Sequence, residues 1–85
     1  MSIDTQALRK EAHDVDVTLW VGKAGIGSVI EELDDQLRDR QLVKIKFLRS
    51  ARGQRDVPTL AAELAESVDG TVIETRGNTA VVYHR

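Results

Sequence analysis

The chain has no cysteine, so disulfides, thiolate metal ligands and cysteine nucleophiles are excluded. Histidine is nearly as scarce. His13 and His84 stand at opposite ends of the sequence, which argues against a multi-histidine metal site. Proline occurs once, and aromatic residues are 4% of the chain, one each of Trp, Tyr and Phe. No apolar run exceeds four residues, so no bilayer-spanning segment and no secretory hydrophobic region is expected. What is present is 85 residues, 41% hydrophobic and 31% charged. That composition reads as a single globular domain over 1–85 in the cytoplasm.

The net charge of -2 argues mildly against a nucleic-acid binder. The average conceals a sorting. Residues 40–55 carry Arg40, Lys44, Lys46, Arg49, Arg52 and Arg55 and no acid. Residues 56–75 carry Asp56, Glu63, Glu66, Asp69 and Glu74 and no base. Sorted charge makes a one-sided electrostatic footprint. Arg outnumbers Lys by 8 to 4 and Asp outnumbers Glu by 8 to 6, a balance expected of a salt-adapted, halophilic surface.

Hydrophobic spacing divides the chain into elements. Residues 4–14 read as a helix capped by Ser2 or Asp4, with Ile3, Ala7, Leu8 and Ala12 as its stripe. Residues 16–21 read as a strand, with Val17, Leu19 and Val21 on one face and Thr18 and Trp20 on the other. Residues 26–40 read as a helix on Ile26, Ile30, Leu33 and Leu37. Ser28 and Glu31 have capping-box spacing, placing its first turn near 28. Its outer face carries Glu31, Glu32, Asp34, Asp35 and Asp39.

A second strand over 41–48 puts Val43, Ile45 and Phe47 against a core and Lys44 and Lys46 on the wetter side. The polar segment 49–56 reads as a loop. Pro58 suits the first turn of a third helix that ends near 68, with Leu60, Ala61, Leu64, Ala65 and Val68 inward and Gly70 as its C-cap. Two strands, 71–76 and 79–84, flank a type II′ turn at Gly77-Asn78. The order is α-β-α-β-α-β-β, with parallel pairing across the crossovers and an antiparallel final pair.

The segment Gly22-Lys23-Ala24-Gly25 lies between a strand and a helix. Two glycines permit a sharp turn and close approach to a partner. A helix N-terminus beyond them would offer free N–H groups and a positive dipole end to a phosphate. Lys23 adds a cation, and KH domains clamp a nucleotide backbone with a GxxG loop of this kind. The same pattern also serves as a plain structural turn. With Lys44, Lys46, Arg49, Arg52, Arg55 and Arg76, the loop would form a basic surface that grips phosphates without reading bases. Alternatively, Lys44 and Lys46 mark an exposed sheet face or protected edge. Trp20 fits either a base-stacking or a core position.

The runs LWVGKAGIGSVIEELDDQL, LVKIKFLR and GNTAVVYHR resemble a CRM (chloroplast RNA splicing and ribosome maturation) domain. More closely, they resemble its stand-alone bacterial and archaeal form, the YhbY family. The resemblance implies an α/β (α+β) sandwich with a four-stranded mixed sheet and three helices, similar to the C-terminal domain of bacterial translation initiation factor three. It implies RNA contact at Gly22, Lys23, Ala24 and Gly25. It also implies a role in large ribosomal subunit assembly, with large-subunit ribosomal RNA or its precursor as partner. Neither membrane, small-molecule substrate, cofactor nor metal is expected. The chain departs from the family in having Gly27-Ser28 where a Thr cap is common, and in being net acidic.

Other classes fit less well. GKAGIG lacks the Gly-Lys-Ser/Thr ending of a phosphate-binding Walker loop, and no catalytic constellation is present, so an enzyme is not expected. An Alba-like DNA- or chromatin-binding protein has a similar element order but no leading helix and a strong basic surplus. A protein–protein adaptor would use the acidic face of residues 26–40.

Overall fold

The computed structural model describes residues 5–53 and 55–84. Ser2, Ile3 and Asp4, read above as the start of the first helix, lie outside the described residues. The elements are α1 (Thr5–Asp14), β1 (Val17–Val21), a 3₁₀ turn (Ile26–Val29), α2 (Ile30–Asp39), β2 (Leu42–Phe47), α3 (Arg49–Arg52), α4 (Val57–Ser67), β3 (Thr71–Arg76) and β4 (Thr79–Tyr83). The fold is α+β, built on a four-stranded mixed sheet in the order β1-β2-β4-β3. β1 and β2 are parallel; β4 is antiparallel to both β2 and β3. The expected three helices gain a fourth, the single turn α3, inside the segment read as loop. The Ala51 amide donates to the Leu48 carbonyl at 2.9 Å and closes that turn.

Strand alternation divides the buried residues between two faces. On the first, Leu19, Val21, Val43, Ile45, Phe47, Ala80 and Val82 meet Leu33 and Leu37 of α2. Leu60, Ala61, Leu64 and Ala65 of α4 close the same core, and small alanines let that helix approach the sheet closely. On the second face, Ala12 of α1 covers Leu42, Ile73 and Val81, with Leu8, Val15 and Tyr83 around them. Arg9 Nε donates to the Ile73 carbonyl at 3.4 Å and ties α1 to β3.

Two helix-end expectations change, and one holds. The Ser28–Glu31 capping box does not form. Ser28 sits inside the 3₁₀ turn, its hydroxyl donating to the Gly25 carbonyl at 2.8 Å, and α2 begins only at Ile30 with Val29 as N-cap. The third long helix starts at Val57 with Pro58 in its first turn, as expected, and the Asp56 side chain caps it by accepting from the Thr59 amide at 2.9 Å. At its other end the left-handed residue is Asp69, with φ 55, not Gly70. The Gly70 amide donates to the Ala65 carbonyl (2.8 Å) and the Asp69 amide to the Glu66 carbonyl (3.3 Å), a Schellman closure. Gly70 is required for a different reason: a Cβ there would lie 2.8 Å from Val82 Cγ1.

The final turn agrees with the type II′ expectation. Gly77 has φ 57, while Asn78 is not among the residues of positive φ.

Candidate nucleic-acid interface

Chain direction brings three connections to one end of the sheet. β1, β2 and β3 all end there, and β4 begins there. The Leu48 amide donates to the Val21 carbonyl at 2.9 Å, and the Phe47 amide to the Asn78 carbonyl at 2.7 Å. The loop after β1, the α3 segment and the Gly77-Asn78 turn are therefore neighbours, although they are remote in sequence.

The loop after β1 is a closed turn, with the Gly25 amide donating to the Gly22 carbonyl at 2.9 Å. Gly25 holds φ 85 and ψ 178, a conformation essentially reserved to glycine. No atom lies within 4 Å of where its Cβ would stand, so the demand there is conformational, not spatial. Buried Val21 anchors one side of the loop and partly buried Ile26 the other, leaving Lys23 and Ala24 exposed at the tip.

The expected helix N-terminal contribution is not built directly onto this loop. The 3₁₀ turn separates Gly25 from α2, and the first turn of α2 already carries Glu31 and Glu32. These carboxylates compensate the positive dipole end, so any anion held at the loop relies on Lys23 and the loop backbone.

The sheet pairing arranges the remaining cations. On the second face, Trp20 pairs with Lys46, Lys46 with Thr79, and Thr79 with Arg76, one row across all four strands at the loop end. Trp20 is 53% exposed, which resolves its placement: it is not a core residue. Lys46 and Lys44 are half-buried, with Lys44 one row further from the loop, beside Val81. Among the described residues, Lys23, Lys44, Lys46 and Arg49 form no ion pair. Arg76 leans on α1, with Nη1 3.4 Å from His13 Nδ1; His13 Nε2 lies 3.6 Å from Glu74.

Arg49, Arg52 and Arg55 line one shallow depression with Gly53 and Asp56. They differ in availability. Arg49 is exposed. Arg52 is half-buried, and its Nε is buried without a partner among the described residues. Arg55 is paired with Glu63 of α4, and the hydrogen bond to that carboxylate raises its pKa further. Arg55 therefore adds little net positive charge. Hydrogen bonding from Thr59 holds the neighbouring Asp56 carboxyl below its ordinary range.

Arg40 belongs to the basic stretch in sequence but precedes β2, at the end of the sheet away from the loop. The acidic residues of α2 lie across the sheet from the row, since α2 packs on the first face. Some are satisfied within the helix: Arg38 pairs with Asp34 at 3.1 Å, and Gln36 Nε2 donates to Glu32 at 3.1 Å. Gln36 also fastens α2 to β1, accepting from the Thr18 hydroxyl at 2.6 Å and donating to the Thr18 carbonyl at 3.0 Å. Sequence reasoning left two exposed apolar groups unplaced, Trp20 and Leu48 (38% exposed). The alternation of Trp20 with Leu19 and Val21 was the available signal.

A small mixed sheet with α2 and α4 on one face, α1 over part of the other and cations gathered at one end defines the class of domain. The chain belongs to the CRS1/YhbY (CRM) domain family, whose model matches residues 2–84. It is 36% identical over 76 residues to a protein of Methanocaldococcus jannaschii named a probable RNA-binding protein. That match covers 89% of this chain and 57% of the relative, so the chain spans little more than half of the relative's length. Its fold is similar to the solution structure of a Staphylococcus aureus protein described as a candidate RNA binder. The TM-score is 0.80 at 30% identity, covering 95% of this chain and 83% of the other.

Proposed function

We propose that this protein binds RNA through the loop end of its sheet, with large-subunit ribosomal RNA or its precursor as partner during subunit assembly in the cytoplasm. The observation that carries this reading is the convergence of Lys23, Lys46, Arg49 and Arg76 at one end of the sheet, with the acidic face of α2 on the other side. Family membership supports it, as do the names of the two relatives. Lys23 and the Gly22–Gly25 backbone would touch phosphates first, with Lys46, Arg49, Arg52 and Arg76 extending the track; Lys44 and Arg55 lie at its margins. Contacts of this type give affinity and register but no direct base readout.

Lys23→Ala tests the loop most cleanly, because its side chain is exposed and its removal leaves the turn intact. Substituting Gly25, by contrast, strains the backbone of the loop itself. With fluorescence anisotropy on ribosomal RNA fragments, Lys23→Ala should weaken binding and reduce the magnitude of the log–log salt slope by about 1. An unchanged slope would remove Lys23 from the interface. Crosslinking in the source cells, followed by sequencing, tests the partner. Reads concentrated in large-subunit ribosomal RNA support the assembly role; reads elsewhere keep RNA binding and reject that role.

A further inference from the structure

The loop accounts for a grip on phosphates but leaves Trp20 unexplained. The chain's single tryptophan stands on the edge strand β1, on the second face, 53% exposed. Leu19 and Val21 beside it are buried, so the strand presents the indole outward while its neighbours hold the backbone against the core. The helix α1 covers the second face around Leu42, Ile73 and Val81 and reaches the Trp20 row at its far end, where His13 meets Arg76, while Trp20 itself stays exposed. That row reads Trp20, Lys46, Thr79, Arg76 and contains no carboxylate. Glu74, one row further along the same face, faces His13. Lys23 follows Trp20 by three residues, at most roughly 10 Å of extended backbone.

An exposed, rigidly mounted aromatic ring beside unpaired cations matches what an unpaired nucleotide offers. Its base has a π-face to lay on the indole, and its phosphate has a negative charge for the lysines. A duplex offers the phosphates but keeps its bases stacked and out of reach of the ring. We propose that Trp20 is a stacking platform for an unpaired RNA base, with Lys46 and Lys23 taking the adjoining phosphates. The protein would then select RNA with an unpaired nucleotide next to the stretch its loop holds. This inference rests on the RNA-binding reading above.

The single tryptophan makes the test direct. The full chain is titrated with a single-stranded oligoribonucleotide of mixed sequence, and separately with the same strand annealed to its complement. Intrinsic fluorescence reports Trp20, and anisotropy of labelled RNA reports affinity. The expected result is quenching and tighter binding with the single strand. Trp20→Ala should weaken single-strand binding roughly 5- to 150-fold and leave duplex binding unchanged, while Trp20→Phe retains most of the affinity. Circular dichroism should show both variants folded, since the side chain is exposed. If Trp20→Ala binds the single strand as the parent does while Lys23→Ala still weakens it, stacking is overturned and the RNA reading stands. Failure of the parent to bind either RNA overturns both. A change in sedimentation for Trp20→Ala, with RNA affinity unchanged, would assign the indole to a protein contact and reject the proposal.

Discussion

The second face of the sheet has two halves with the same backbone and opposite chemistry. In one, Leu42, Ile73 and Val81 lie beneath α1 and are buried. In the other, Trp20, Lys46, Thr79 and Arg76 form a row at the loop end without that apolar cover. A helix as short as α1 cannot cover a four-stranded sheet end to end. Where it stops, the outward positions change from aliphatic to cationic and aromatic. The covered half therefore contributes stability, and the open half is free to meet a partner.

A carboxylate placed in each half should break the two apart. Val81→Asp buries a carboxylate beneath α1, where its desolvation outweighs what the cross-strand Lys44 can return, and should cost about 3–5 kcal/mol and unfold much of the population in a denaturant titration. Lys46→Asp, in the neighbouring row, should leave the denaturation midpoint nearly unchanged and weaken RNA binding instead. Equal loss of stability in both would erase the distinction between the halves. On the fully helix-covered first face, Leu33→Ala removes a side chain with no exposed area and should cost about 2–5 kcal/mol, read in the same titration, with RNA affinity of the folded fraction retained.

Gly25→Ala comes next. Its φ of 85 with ψ 178 should impose about 1–3 kcal/mol of backbone strain and lower RNA affinity together, seen as paired shifts in melting temperature and anisotropy. The smallest effect concerns Asp56. Its carboxyl titrates below the ordinary range, so it stabilises the native state above the unfolded-state pKa. That contribution disappears as pH falls through the lowered folded value. Asp56→Asn should keep a cap on α4 and flatten the acid-side fall in melting temperature by a few degrees at most.

Much of this arrangement was legible residue by residue. The alternation of Val43, Ile45 and Phe47 with Lys44 and Lys46 identified β2 and its buried side correctly. The Leu60, Ala61, Leu64 and Ala65 stripe did the same for α4. Local hydrogen bonds were harder to read. Ser28 had the spacing of a cap, but its hydroxyl bonds the Gly25 carbonyl, because the chain leaves the tight Gly22–Gly25 turn as a 3₁₀ helix. Asp69, not the glycine after it, adopts the left-handed conformation that closes the turn, and Gly70 serves close approach to β4 instead. For the candidate site, the residue types were visible, but their availability was not. Arg55 looked as free as Arg49 until the position of Glu63 on α4 was known.

By itself, the sequence determined the order of elements, the inward side of most strands and helices, and the presence of a glycine turn carrying Lys23. These follow from local periodicity and backbone sterics, which act over a few residues. Tertiary structure alone decided that β4 lies between β2 and β3, which places Arg76 in one row with Lys46 and Trp20. It alone decided where α1 ends on the second face, and so that the tryptophan stands in the open. Periodicity says which side chains share a face of a strand; only the packing of distant segments says whether that face is covered.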